Sequence, residues 1–309
     1  MLVAELTRNL PGPFAGRELR RLGARVVRVE APEGDRLRDV APVWDARLNA
    51  GKESVVWDRA VEPELGRELC ARADVLLEGF RPGVAERLGI GPGDLPGRLV
   101  YCSITGFGPE DHRAGHDLNY MGWAGALADT APALPPVQVA DLAAGALYAV
   151  TEILAALLER ERTGHGRRIV VSMTHNAHRL VSHRLGAGER LLTGGLACYR
   201  IYECADGRFL TVAALEPKFW SRLCELLERP DLTPRHYEAD QEAVAAELAA
   251  LFATRPLAEW LELLEDEDAM AGPVATLEEG AERFGEPEPG EPPPRLGEHT
   301  DAWRAELGL

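Results

Sequence analysis

Over its first half the sequence alternates short runs rich in β-forming residues with helical patterns, and this rhythm limits the fold more than any other feature. The runs are Leu2–Leu6, Arg25–Glu30, Glu53–Asp58, Ala73–Phe80 and Leu99–Phe107, with helical patterns around Phe14–Leu22 and Pro63–Arg72. Such alternation predicts a parallel sheet with helices on its faces, an α/β fold. No GxGxxG follows any of these runs, which leaves a nicotinamide or flavin site without support. At 309 residues the chain is too long for one small core, and a second, smaller domain is expected.

Asp141 opens the strongest helical pattern. Leu142, Leu147, Val150, Ile153, Leu154, Leu157 and Leu158 fall on one face, Thr163-Gly164 ends it, and the helix is expected to be well buried. A polar, His-containing stretch, residues 174–190, leads to Gly194-Gly195 and a passage into the second lobe. There Tyr199–Glu203 and Arg208–Ala213 flank Ala205-Asp206-Gly207, the turn chemistry of a β-hairpin. Helices are expected at Lys218–Leu227, Gln241–Ala253 and Leu257–Glu265, and an extended surface segment from Gly285 to Arg295.

The net charge of −16 argues against a nucleic-acid partner, because phosphate backbones need a basic face. An anionic ligand must be held by local cations. The five cysteines are scattered and form no CxxC, so neither a disulfide framework nor a zinc site is indicated, and His175, His178 and His183 lack a carboxylate at helical spacing to complete a metal site. No apolar run is expected to span a membrane, and no leader-like block opens the chain. A cytoplasmic location is the resulting expectation.

The segment Leu10-Pro11-Gly12-Pro13-Phe14-Ala15-Gly16, the run from Leu22-Gly23-Ala24 to Gly34-Asp35, and the stretch Ala73 to Gly89 containing Glu78-Gly79-Phe80-Arg81-Pro82-Gly83 resemble the family III CoA-transferases and their racemase relatives. Three further segments are similar to the alpha-methylacyl-CoA racemase branch. They are Gly115-His116-Asp117-Leu118-Asn119-Tyr120, Val139-Ala140-Asp141-Leu142-Ala143-Ala144-Gly145, and Ala214-Leu215-Glu216-Pro217-Lys218-Phe219. Transferases usually carry an aromatic residue at the position of His116.

The resemblance implies a Rossmann-like large domain, residues 1–190, completed by the tail 285–309, and a small α+β domain, residues 191–284, in an interlocked homodimer. It implies proton transfer at the α carbon of an acyl thioester, with CoA as part of the substrate and no separate cofactor. Inverting that carbon through an enolate needs two groups on opposite faces, one basic and one acidic in the same complex. The resemblance assigns His116 to take the proton from the S isomer, Asp141 to take it from the R isomer, and Glu216 to orient His116. Histidine titrates near neutral pH unaided, whereas aspartate does not. At a helix start Asp141 would be stabilised as an anion, so desolvation or a second negative charge has to oppose that. Gly115, Asp117 and Tyr120 read as motif scaffolding around the substrate; Arg36, Arg38, Lys52 and Arg81 are the cations expected for the CoA phosphates.

The chain departs from the pattern at Ala31, where arginine is common in these racemases, and at Ala50 and Glu53 in a run that is usually more basic. Each lost phosphate contact costs on the order of 1.5–3 kcal/mol, which keeps a non-CoA thioester open as the carrier. Thr174-His175-Asn176 replaces an acidic-Gly pair. Two other readings remain: a CoA-transferase in which Asp141 attacks the thioester as nucleophile, and a catalytically silent partner subunit.

Overall fold

The alternation is realised as six parallel strands, β1 (Leu2–Leu6), β2 (Arg25–Glu30), β3 (Glu53–Val56), β4 (Val75–Glu78), β5 (Val100–Thr105) and β6 (Arg168–Ser172), in the order β3-β2-β1-β4-β5-β6. The molecule is described here by a computed structural model covering residues 1–187, 190–285 and 291–309. It divides into two compact units, Met1–His183 with Glu288–Leu309, and Arg184–Pro287. The strand order reverses direction on either side of β1, where Ala4 pairs with both Val27 and Leu76. In open parallel sheets such a reversal leaves a crevice beyond the strands' carboxyl ends.

A parallel sheet needs cover on both faces, which is why the inner strands bury nearly every residue, polar ones such as Glu5, Arg28 and Glu78 included, rather than alternating. One face, with Val3, Val26, Leu77, Cys102 and Ile104, packs on α1 (Pro11–Arg21), α2 (Asp117–Trp123), α3 (Tyr148–Thr163) and α4 (Met173–Val181). The stretch expected to be a polar linker thus begins as a helix that buries Met173, Asn176 and Ala177. Packing of α1 on β1 is close. A Cβ on Gly12 would lie 2.1 Å from Thr7 Cβ and one on Gly16 2.0 Å from Glu5 Oε2, so the glycines of the opening motif are required by contact alone.

The opposite face, with Ala4, Val27, Leu76 and Tyr101, is covered in part by the helix Pro63–Arg72 and by Trp303 of the C-terminal helix Thr300–Leu307. That helix arrives along β3, the edge strand. Ser54 N–H donates to His299 Nδ1 (3.2 Å) and Val56 N–H to Thr300 Oγ1 (3.0 Å), so the tail satisfies edge donors that would otherwise invite another chain. Trp303 is 0% exposed and its indole N–H reaches the Glu53 carboxylate, which also pairs with Arg25. Trp303→Ala is expected to lower the stability of the first unit by about 3–5 kcal/mol; urea unfolding followed by far-UV circular dichroism measures it. Residues 286–290 of the expected extended segment, and residues 188–189 of the expected linker, lie outside the described residues.

Three expectations for the helix after Asp141 need correction. It does not begin at Asp141 and is not regular: Ala140–Leu147 is π-helical, with Val139 before it, and runs into α3. The buried stripe of α3 is Ala149, Val150, Ile153 and Ala156, whereas Leu147, Leu154 and Leu158 are exposed, Leu158 by 70%. Close packing selects the small alanines, which carry little hydrophobic signal. Ala140–Thr163 is also long and apolar enough to cross a membrane by length and composition, 24 residues with mean hydropathy 1.6 in its most apolar window, contrary to the expectation that no run reaches that limit. It packs its alanine stripe into the core of the first unit.

The second unit has a three-stranded antiparallel sheet, β7 (Tyr199–Glu203), β8 (Phe209–Ala213) and β9 (Ala271–Pro273), in that order. Gly207, at φ 74°, makes the β7–β8 turn, where Cys204 N–H bonds the Arg208 carbonyl. Its core joins Leu210 and Val212 to Trp220, Phe252 and Trp260 from three helices, α5 (Pro217–Leu226), α6 (Gln241–Phe252) and α7 (Leu257–Leu264).

Candidate active site

From the carboxyl end of β5 the chain passes through Gly106 and Phe107 to His116, the residue before α2. His116 has an extended backbone (φ −127°, ψ 174°), its N–H donates to Asn119 Oδ1 (3.0 Å), and its side chain lies at the surface of the first unit. Gly115 and Tyr120 fix this turn. Tyr120 Oη donates to the Gly115 carbonyl, and a Cβ on Gly115 would stand 2.7 Å from the Tyr120 ring. Tyr120 is buried edge-on against Phe107, with ring centroids 5.2 Å apart. Both residues shape the loop.

Asp117, the first residue of α2, is buried, and its Oδ1 accepts the Asp141 N–H at 2.9 Å. One residue therefore follows His116 in the chain and touches Asp141 in space. The Asp141 carboxyl is pushed up to about 7 from its ordinary 3.8, first by burial and then by the Asp117 charge. The helix-start donors that would oppose this are engaged elsewhere: Asp141 N–H by Asp117, Leu142 N–H by the Gln138 carbonyl. Both influences that can raise an aspartate, burial and a second negative charge, are present, and the second comes from a residue taken for scaffolding. Asn176 also finds its account here. Its Nδ2 donates to the Ala144 carbonyl (3.0 Å) inside the π-helical turn.

Glu216 belongs to the second unit. It precedes α5 and is exposed, with its side chain making no bond to its own helix N-terminus.

The four expected phosphate cations fare differently. Arg36 and Arg81 are exposed, and neither guanidinium has a protein partner among the described residues. Arg38 is engaged by Glu30 through two bonds (3.1 and 2.7 Å) and by the Pro294 carbonyl. Lys52 is buried, and its ammonium donates to Glu5 (2.8 Å), the Pro13 carbonyl (2.8 Å) and Asn49 Oδ1 (2.9 Å), using all three donors. Burial pushes it down to about 8 against the pull of Glu5. Nothing on Lys52 is left for a phosphate, so it is a structural cation.

At the carboxyl ends of β1, β2 and β4 lies a cleft of about 300 Å³, lined by Arg8, Ala31, Trp57, Arg59 and Phe80 among others. Ala31 leaves room there that an arginine would fill. Arg8 and Arg59 are the two cations sequence reasoning missed. Among the described residues Arg8 makes only an exposed pair with Glu33 (3.3 Å), and Arg59 only a bond to the Arg87 carbonyl. Their place just past strand ends, where ligands of parallel sheets bind, was the available signal.

The sequence profile of CoA-transferase family III matches residues 1–284 of this chain. The human alpha-methylacyl-CoA racemase is 37% identical, over 90% of this chain and 77% of that protein. A probable fatty acyl-CoA transferase of Mycobacterium tuberculosis is 34% identical, over 87% of this chain and 80% of its own length. The crystal structure of that mycobacterial protein superposes with a TM-score of 0.81 at 30% identity, covering 98% of this chain and 97% of the other.

Proposed function

The chain belongs to CoA-transferase family III, and from that premise we propose that it is a racemase or epimerase acting at the α carbon of a 2-methylacyl-CoA-like thioester. The single observation that carries this reading is Asp141, half-buried beside Asp117 and raised to about 7, with His116 adjoining Asp117 in the chain. A carboxyl in that range is populated both as acid and as base near neutral pH, as a two-base exchange requires. In one direction His116 removes the α proton and protonated Asp141 delivers one to the other face of the enolate. In the reverse direction Asp141 is the base and imidazolium the acid. The assignment of Glu216 to orient His116 belongs to this reading.

The CoA portion is assigned to the cleft at the strand ends. The strand order 3-2-1-4-5-6 supports a Rossmann-like description of the large domain. Arg8 and Arg59 in the cleft, with Arg36 and Arg81 next in the chain to its lining residues Asp35 and Phe80, are the cations available to the phosphates of an otherwise acidic protein. Arg59→Ala and Arg81→Ala are each expected to weaken binding of a CoA ester about tenfold or more and to flatten its salt dependence, while kcat changes little. Equal affinity in either variant removes that residue from the site. A homodimer is part of the proposal, and the exposed Val43 and Trp44 are in keeping with it; sedimentation of a fully active monomer at assay concentration would contradict it.

The competing transferase reading has support from the mycobacterial relative, a probable fatty acyl-CoA transferase. Enantiopure 2-methylacyl-CoA decides between them. Loss of optical activity with the thioester intact supports the racemase, and CoA transfer to an added carboxylate with full retention of configuration supports the transferase.

A further inference from the structure

We propose that Asp117 is a positioning residue that sets both the place and the charge state of Asp141. The inference rests on the two-base reading above for its consequence in catalysis, though not for its physical content.

Three observations carry it. Asp117 Oδ1 holds the Asp141 backbone N–H at 2.9 Å across a sequence separation of 24, so this carboxylate ties the residue after His116 directly to Asp141. Asp117 is only 9% exposed, and among the described residues no lysine or arginine pairs with it. A buried, unpaired carboxylate next to a second carboxyl is costly. Holding an N–H does not need that cost, since an asparagine oxygen would accept the same bond. The negative charge is therefore surplus to the structural task, and its effect falls on Asp141, which it pushes in the same direction as burial does.

The other groups on packed elements do not offset it. On α2, Tyr120 Oη is turned to the Gly115 carbonyl. On α1, Arg17 pairs with Glu18 and lies over the Phe14 ring. On α4, His178 Nδ1 sits 3.0 Å from the Ala124 carbonyl, Arg179 lies over Tyr148, and His175 is exposed. On α3, Glu152 pairs with Arg167.

Asp117→Asn separates the two roles, because it keeps an oxygen for the Asp141 N–H and removes the charge. Asp117→Ser, which also removes the charge and keeps a smaller polar side chain, is the second variant should the first not fold. Direct titration of Asp141 is read by carbon-13 NMR on protein labelled at aspartate carboxyls, with Asp141→Asn identifying the signal. The expected result is a midpoint at least about one unit lower than in the wild-type chain, with the acidic limb of the kcat/KM profile moving down by the same amount. A purely structural Asp117 would move stability and leave both midpoints where they were, and that result overturns the proposal. If the Asp141 midpoint falls but the wild-type chain racemises no thioester, the positioning role stands and the functional reading fails.

Discussion

Asp141→Asn is expected to lower net racemisation by a factor on the order of 10²–10⁴, while proton removal by His116 survives. With one base per face, the variant loses the group that completes the transfer, not the group that starts it. In deuterated water it should wash deuterium slowly into one enantiomer only, and His116→Ala should do so only for the other. The same substitution should make the protein more stable at alkaline pH. Asp141 titrates at about 7 in the folded chain against an ordinary 3.8, so its buried acid form stabilises the fold fully below the ordinary value, and that contribution is lost as pH rises towards 7. Asparagine cannot ionise. The variant should match the wild type near pH 4 and melt higher at pH 8, as expected where activity is maintained against stability. Full racemase activity in Asp141→Asn, or a lower melting temperature at pH 8, is incompatible with this account.

Lys52→Met is expected to cost about 3–5 kcal/mol of stability. The Lys52–Glu5 pair has both side chains fully shielded from solvent, at 2.8 Å. Removing the ammonium leaves Glu5 buried in the middle of β1 without a counter-charge, and strands the Pro13 carbonyl and Asn49 Oδ1 that it also held. The double change Lys52→Met with Glu5→Leu should recover much of the loss, because the penalty lies in the unmatched charge. Chemical denaturation of the single and double variants measures this. If Lys52 instead served the CoA phosphates, the single variant would keep its stability and lose affinity.

These residues show how far the sequence could be read. The strands were legible because burial on both faces selects short runs rich in Val, Leu and Ile, and the edges moved by only one or two residues, as at Val75–Glu78 within Ala73–Phe80. The edge strand β6 was not assigned: it is as long as β1, but it buries only Ile169 and Val171 fully and lies between the long helix and the His-containing stretch. His116 and Asp141 were singled out by motif, and the chain does bring their segments together through Asp117. What composition could not show is which charges are already spent. Lys52 and Arg38 look in the sequence like Arg36 and Arg81, but partners 47 and 8 residues away engage them. Nor could the periodicity foresee the π-helical turn, inside which the Ala144 carbonyl accepts from Asn176, 32 residues away.

The two-base account is tested most directly by incubating the wild-type protein in deuterated water with each enantiomer of a 2-methylacyl-CoA, with and without hydroxylamine. The account predicts that each enantiomer yields its mirror image carrying one solvent deuteron at the α carbon, that both reach the same racemic mixture, and that Asp141 bears no adduct. Retention of configuration and of the α proton, together with a hydroxamate on Asp141, would contradict it.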